Sequence, residues 1–308
     1  MVKNGIFKYE NIYSKKINPK YRITLNEGNT PIERLHFLEN QTGIPYIYAK
    51  REDKNPSGSA KDRSIAYYLS YINSIGIKEL IVPSSGNTAI SAAMYSKQAN
   101  IKMYIFISEN ISKDKEKRLE KAIKNKNLVD IIKSKKPLSD AIKFSKEKNI
   151  TLLRGSETRY AIEGFKSIGE ELKLIRADAI FIPTSSGTTL EGISKILDNI
   201  EFHVVQTSKI NTVSRMFDND FKNEKISLAD SIVARVTKRQ NKIVKIIKKS
   251  HGWGWTIENK DIRNVQKLLR KNDIHTSGEG ALVVASLLKA IKKGYKFKKV
   301  ILLFTGHE

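Results

Sequence analysis

From Glu79 onward, short continuous runs of branched apolar residues alternate with longer segments whose apolar positions recur every three or four residues. Leu80-Ile81-Val82, Ile101–Ile107, Leu128–Ile132, Thr151-Leu152-Leu153, Ala179–Ile182, Phe202–Gln206, Trp253–Ile257 and Lys299–Phe304 read as strands. Helical periodicity covers Ala89–Ala99, Ser112–Lys126, Leu138–Lys148, Ile162–Ile175, Leu190–Ile200, Lys238–Lys249, Lys260–Lys271 and Gly280–Lys292. Strands that are apolar throughout and joined by helices predict an α/β fold whose parallel sheets are covered on both faces. Asn211–Lys225 is polar and reads as a loop, and no repeat or low-complexity linker interrupts the pattern.

Composition narrows the classes. The 308 residues suffice for two domains of ordinary size, and 40% hydrophobic residues suffice for proper cores. The absence of cysteine excludes disulfides, thiolate metal sites and a cysteine nucleophile. His36, His203, His251, His275 and His307 are scattered without metal-ligand spacing, so no metal is expected. Met1–Lys16 lacks the apolar stretch of a signal peptide and no run has the length of a membrane span, so a soluble, cytoplasmic chain with no membrane partner is expected. The formal charge of +24 is concentrated in Lys113–Lys148, Arg235–Lys249 and Lys289–Lys299. Such stretches suit either a polyanion or the solvated faces of helices. Apolar residues interleave at helical intervals, as in Ile243–Lys249, and aromatic residues for base stacking are limited to Phe144, Tyr295 and Phe297. The helix-face reading is preferred, and no nucleic-acid partner is expected.

Candidate chemistry lies where turns meet helices. In Asn55-Pro56-Ser57-Gly58-Ser59-Ala60-Lys61-Asp62-Arg63 a lysine stands between a turn-forming run and the apolar helical segment Ser64–Leu69. Positive potential at a helix N-terminus disfavours an ammonium and favours the neutral amine, the form that condenses with an aldehyde. Pro83-Ser84-Ser85-Gly86-Asn87-Thr88 leads from strand into helix, and its donors suit an anion such as a carboxylate, or simply cap the helix. Pro183-Thr184-Ser185-Ser186-Gly187-Thr188-Thr189 does the same one strand pattern later and suits a phosphate. The last strand runs into Thr305-Gly306-His307.

The nonapeptide around Lys61 resembles the Asn-Pro-Thr-Gly-Ser-Phe-Lys-Asp-Arg signature of threonine synthases, members of the fold type II enzymes that use pyridoxal 5′-phosphate (PLP). Glu27-Gly28-Asn29-Thr30-Pro31, Ser84–Ala89, Ala161–Ser167 and Thr305-Gly306-His307 resemble further runs of that family, in the same order. The resemblance implies two doubly wound, three-layer α/β domains with mainly parallel sheets and the cofactor in the cleft between them. Residues 45–155 would form the smaller domain, and 1–44 with 156–308 the larger. It implies that Lys61 carries the cofactor and that Asn87 meets its phenolic oxygen. Ser185, Ser186, Gly187, Thr188 and Thr189 would hold its phosphate, and Thr305 its ring nitrogen. Ser84, Ser85, Gly86 and Thr88 would bind the substrate carboxylate.

Two departures matter. Only Gly187 remains in a loop where relatives carry several glycines, so Ser185 or Ser186 would need an unusual backbone angle if the loop shape were unchanged. Ala161 replaces a usual arginine, leaving Arg159 as the nearby candidate for substrate binding. His307, beside the end of the given sequence, is expected to have no role. The implied activity is a lyase or transferase acting on a small, anionic amino acid, first of all O-phosphohomoserine and water giving threonine and phosphate. The alternatives are β-elimination or β-replacement on a serine derivative, and a non-catalytic or nucleic-acid-binding protein on the same fold. Homodimers are common in the family and one is expected here.

Overall fold

The computed structural model describes residues 4–154 and 157–307. In chain order its strands and α-helices are β1 (Ile32–Arg34), α1 (His36–Thr42), β2 (Tyr46–Arg51), α2 (Lys61–Ser74), β3 (Glu79–Pro83), α3 (Asn87–Ala99), β4 (Lys102–Ser108), α4 (Lys113–Ala122), β5 (Val129–Ser134) and α5 (Pro137–Lys148). There follow β6 (Thr151–Leu152), α6 (Glu163–Leu172), β7 (Ala179–Pro183), α7 (Thr188–Ile193), β8 (Glu201–Thr207), α8 (Gln240–Lys249), β9 (Gly254–Ile257), α9 (Asn259–Lys271), α10 (Gly278–Lys292) and β10 (Lys299–Phe304). They gather into two compact units, Met1–Asn29 with Asn55–Ser167, and Thr30–Lys54 with Ile168–Glu308.

These boundaries differ from the expected 45–155 and 1–44 with 156–308. Ile6, Phe7, Tyr13, Ile17 and Ile23 are buried in the core shared by α2 and α3, which draws the N-terminal segment into the first unit. β2 pairs in parallel with β10 along its full length, from Tyr46 opposite Lys299 to Arg51 opposite Phe304, which draws it into the second.

Among the described residues the first unit has a four-stranded parallel sheet in the order β5-β4-β3-β6. Alternation along the strands sorts its side chains. Leu80, Val82, Met103, Ile105 and Ile107 enter the core with α2, α3 and α4, whereas Ile81 and Phe106 pack with Ala141 and Ile150 on the α5 side. Local chemistry sets the helix ends. α5 opens on Pro137, whose missing N–H is not needed there, and both α3 and α5 stop at an asparagine in the left-handed region, Asn100 and Asn149.

The second unit has, among the described residues, a six-stranded sheet in the order β1-β2-β10-β7-β8-β9, parallel except for β1. Ala49, Phe181, Val205, Trp255 and Leu302 share a core with α1, α9 and the fully apolar face of α10. α8 buries Ile243 and Ile247 and leaves Lys242, Lys245, Lys248 and Lys249 exposed. Several polar groups lie deep in this unit, Lys50 and His203 among them. Lys50 Nζ pairs with Glu171 at 2.6 Å and donates to Thr30 O at 2.7 Å, with side chains 1% and 4% exposed. His203 stacks on Phe181 and accepts the Trp255 indole N–H at 3.0 Å through Nδ1, which leaves Nε2 to donate to Glu201. Burial pushes the His203 pKa down and keeps the ring neutral.

Two readings of the chain change. The helix expected over Leu190–Ile200 closes at Ile193 and continues only as turns to Leu197 before Asn199 turns left-handed. The irregular stretch expected over Asn211–Lys225 reaches Arg239, with only a short 3-10 turn at Ser214–Met216. Among the described residues no helix is long and apolar enough to cross a membrane.

Candidate active site

In the first unit, the turn Asn55-Pro56-Ser57-Gly58 is closed by the Gly58 N–H donating to Asn55 O at 2.8 Å, with proline at its second position as such turns favour. The Asn55 side chain accepts the Gly28 N–H at 2.9 Å, so the Glu27-Gly28 segment is anchored on this turn. Lys61 follows as the first residue of α2 and is half-buried, its amine 5.5 Å from the centre of the Phe165 ring. Asp62, the next residue, is fully buried. Its carboxylate accepts the Ser57 N–H at 2.6 Å, the Ser57 hydroxyl, and the Ser91 hydroxyl at 2.6 Å. Burial outweighs these bonds and pushes its pKa up to about 6.

Ser84–Thr88 leave the end of β3 as a half-exposed run. The opening N–H groups of α3 have no acceptor within the helix, and Gly86 at its cap has no side chain to provide one. Space is open where a Gly86 side chain would stand. That is an anion-accepting end, and Asn87 begins it. The Ser85 hydroxyl accepts the Ser108 N–H at 2.9 Å, which ties the run to β4 and leaves its O–H to donate. α3 continues with Ser91 and Tyr95, four and eight positions after Asn87 and so on one face. Tyr95 donates to the buried Glu27 carboxylate at 2.8 Å, and burial raises the pKa of Glu27.

Ala161–Ser167 run against the start of α2. Ser64 donates to Ala161 O at 2.6 Å, and Arg63, fully buried, donates to the Ser167 hydroxyl at 2.8 Å. A Cβ at Gly164 would stand 1.9 Å from Arg63 O, so the backbones meet there only because residue 164 has no side chain. Ala161 is buried, whereas Arg159 is exposed with its guanidinium 6.0 Å from the Tyr160 ring.

In the second unit, β7 delivers the Thr184–Thr189 loop. Its left-handed residue is Gly187, at φ 83°, and neither Ser185 nor Ser186 adopts positive φ. The strained angle considered for the serines is therefore absent, because the one glycine stands where it is needed. The Ser185 hydroxyl accepts the N–H groups of Val233 and Ala234 at 3.1 and 3.2 Å, and Thr237 donates to Ser186 O at 3.0 Å. Ser186 and Thr188 share a hydrogen bond of 2.8 Å, and Thr188 and Thr189 are buried. These bonds occupy the Ser185 lone pairs and leave its O–H to donate, so an anion would meet that hydroxyl as well as the N–H groups at the start of α7. Behind the loop, Arg239 and Lys242 both reach Glu191, and their bonds hold its carboxyl below the usual range although burial opposes them.

β10 lies beside β7, with Leu302 opposite Phe181, so Thr305 leaves the same sheet edge as the Thr184–Thr189 loop. Gly306 O accepts the Ser277 N–H at 3.0 Å and the Thr276 hydroxyl at 3.3 Å. Among the described residues the Ser277 hydroxyl is buried and makes no hydrogen bond, although serine at a helix cap ordinarily does. The sequence reading passed over Ser277. A serine just before the helix pattern starting at Gly280 reads as an ordinary cap, and only the position of β10 brings it beside Gly306. His307 is exposed.

A family profile described as pyridoxal-phosphate dependent enzyme matches residues 23–306. The chain belongs to that family. Similarity to the threonine synthase of Methanocaldococcus jannaschii extends over 98% of this chain and 80% of that one at 26% identity. A threonine synthase of a Bacillus species is 34% identical over 49% of this chain and 42% of its own length. Among solved structures, maize serine racemase superposes with a TM-score of 0.78 over 91% of this chain and 88% of its own, at 18% identity. Threonine deaminase isoform 2 of Solanum lycopersicum gives 0.76 over 98% and 84%, at 19%. The fold is that of the fold type II enzymes, α/β with mainly parallel sheets, and the family's cofactor is pyridoxal 5′-phosphate.

The residues present fit that cofactor. A half-buried lysine can meet an aldehyde, the N–H groups opening α7 can meet a phosphate, and an unbonded buried hydroxyl stands beside the strand end that carries Thr305. Gly187→Ala tests the loop. Its Cβ would lie 2.2 Å from Ile243 Cδ1 at a backbone angle that L residues avoid. We expect a loss of about 1–3 kcal/mol in urea denaturation. Ile243→Ala alone should cost about 2–5 kcal/mol because it empties a buried site, and in a double-mutant cycle the coupling between the two changes reads the contact part of the Gly187→Ala loss.

Proposed function

We propose that this PLP-dependent enzyme is a lyase of threonine synthase type, converting O-phospho-L-homoserine and water into threonine and phosphate, and that it works as a homodimer. The observation that carries the reading is the similarity over 98% of the chain to the Methanocaldococcus jannaschii threonine synthase. When bound, PLP supplies an aldehyde for the substrate amine and a conjugated ring that accepts the electron pair released at Cα.

The remaining work falls to this chain. Lys61 anchors the cofactor, and its amine, once released, moves protons at Cα and beyond. The N–H groups opening α3, with Ser84, Gly86 and Thr88, orient the substrate by its carboxylate, and Asn87 bonds the phenolic oxygen. Ser85 joins them through its O–H while its oxygen ties the loop to β4. The loop of Ser185, Ser186, Gly187, Thr188 and Thr189 receives the cofactor phosphate. Thr305, joined by Ser277, meets the ring nitrogen. A hydroxyl there shares a hydrogen bond without holding the nitrogen protonated as a carboxylate would, which suits reactions whose carbanion expels a leaving group quickly.

A second reading, β-elimination or β-replacement on a serine derivative, is favoured by Ala161. Its methyl group is buried and Arg159 is exposed, so the position that carries arginine in threonine synthases offers no cation for a second anionic group. The deciding experiment incubates PLP-reconstituted protein separately with O-phosphohomoserine, serine and threonine. Equal amounts of phosphate and threonine from the first support the main reading. Keto acid from serine or threonine, with no phosphate released, replaces it with the second.

A further inference from the structure

Asp62 is placed to link two parts of the first unit that the proposed chemistry needs in register. Its carboxylate bonds Ser57 in the turn that precedes Lys61, through both backbone N–H and hydroxyl, and Ser91 on α3, 29 residues away in the chain. Ser91 lies one helical turn after Asn87, on the same face of α3. One buried side chain thus bonds to the run that delivers Lys61 and to the helix that delivers Asn87. Ala60, which caps α2, makes no side-chain cap bond, and the Ser59 hydroxyl accepts the Lys61 N–H at 3.4 Å, a bond local to the turn. Three donors converge on two oxygens, an arrangement that an ionised carboxylate completes and that a protonated one, carrying a hydrogen of its own, can satisfy only in part.

We infer that Asp62 is a positioning residue, which in its ionised form fixes Lys61 relative to Asn87. The inference rests on the reading of Lys61 as the cofactor lysine. The charged and titratable groups around Asp62 are Glu27 from the N-terminal segment, Tyr95 from α3, and its chain neighbours Lys61 and Arg63. Burial and the Glu27 charge raise the Asp62 pKa to about 6, so its ionisation changes within an accessible pH range.

The experiment titrates purified protein with PLP from pH 4.5 to 8.5. It reads the fraction of Lys61 captured by borohydride reduction, as the mass of the Lys61 peptide. At pH 8, Asp62→Asn should need about tenfold more PLP for half capture, the scale of one hydrogen bond to a charged group. The ratio of mutant to wild-type requirement should fall towards one as the pH drops through about 6, because wild-type Asp62 then carries the proton that makes it resemble the amide. Protonation of Lys61 itself affects both proteins and cancels in the ratio. Ser91→Ala should show a smaller loss of about threefold at pH 8, on the low side of a single hydrogen bond. Ser96→Ala, a buried serine of α3 whose hydroxyl, among the described residues, bonds Ala93 O in its own helix, should match wild type.

Wild-type protein that captures no PLP on Lys61 overturns the site reading and this inference with it. Wild-type capture with unchanged requirement and pH dependence in Asp62→Asn and Ser91→Ala overturns this inference alone. If Asp62→Asn does not fold, Ser91→Ala decides by the same criterion.

Discussion

Lys61→Ala is expected to abolish covalent capture of PLP and to lower turnover at least 10²–10⁴-fold, the range for losing a positioned proton-transfer group alone. Both effects follow from one amine at the start of α2. Alanine keeps the helix, since it is the best helix former and residue 61 opens the helix, so the loss should come without unfolding. Unfolding free energies of wild type and variant, from urea denaturation, should therefore agree within about 0.5 kcal/mol. Visible absorbance of reconstituted protein, before and after borohydride, reads capture directly. A variant that still shows a borohydride-sensitive band on another lysine would move the cofactor site away from Lys61.

Glu171→Ala should cost about 3–5 kcal/mol, because it strips the carboxylate partner from an ammonium that lies 1% exposed. For a protein of ordinary domain size this is roughly 6–20 °C in melting temperature. Replacing both members, Lys50→Met with Glu171→Leu, should recover much of the loss, since well-packed apolar side chains often match a buried pair. Thr30 O would lose the Lys50 donor in that variant, which sets a remaining penalty on the order of 1 kcal/mol. A single Glu171→Ala variant within 1 kcal/mol of wild type would mean that water reaches Lys50 when the partner is gone. The pair also explains why β2 escaped sequence reading. Tyr46–Arg51 carries Lys50 and Arg51 at its end, and charge within a strand hides it from any apolar pattern unless the partner, here Glu171 at 121 positions' distance, is known.

Strands β3, β4, β7 and β10 were legible because each carries a buried apolar run on both faces, and that pattern survives without knowledge of neighbours. Helix α7 was overread because Leu190, Ile193, Ile196 and Leu197 keep helical spacing through turns that the backbone does not continue as helix. At the candidate site, Lys61, Asn87, the Ser185–Thr189 loop and Thr305 were named from local runs, and the fold puts each at the turn expected for it. What stayed hidden were the partners. The Ser185 hydroxyl, read as a phosphate donor, also accepts N–H groups 48 and 49 residues away. Asp62 stood in view beside Lys61, but its bond to Ser91 exists only once α2 and α3 pack. Ser277 looked like a cap until β10 brought Gly306 to its backbone.

The Thr184–Thr189 loop has a consequence for the unfolded chain. A loop built from several glycines must give up the wide freedom of each of them when it orders, and each glycine replaced at an angle other residues can adopt lowers that loss by about 0.4–1 kcal/mol. Here a single backbone angle demands glycine and a single glycine is present, while serines restrict the rest and one of them is bonded to Val233 and Ala234. The loop is thus ordered by the protein's own bonds, and if it receives the cofactor phosphate as proposed, less of the free energy of binding goes into shaping it.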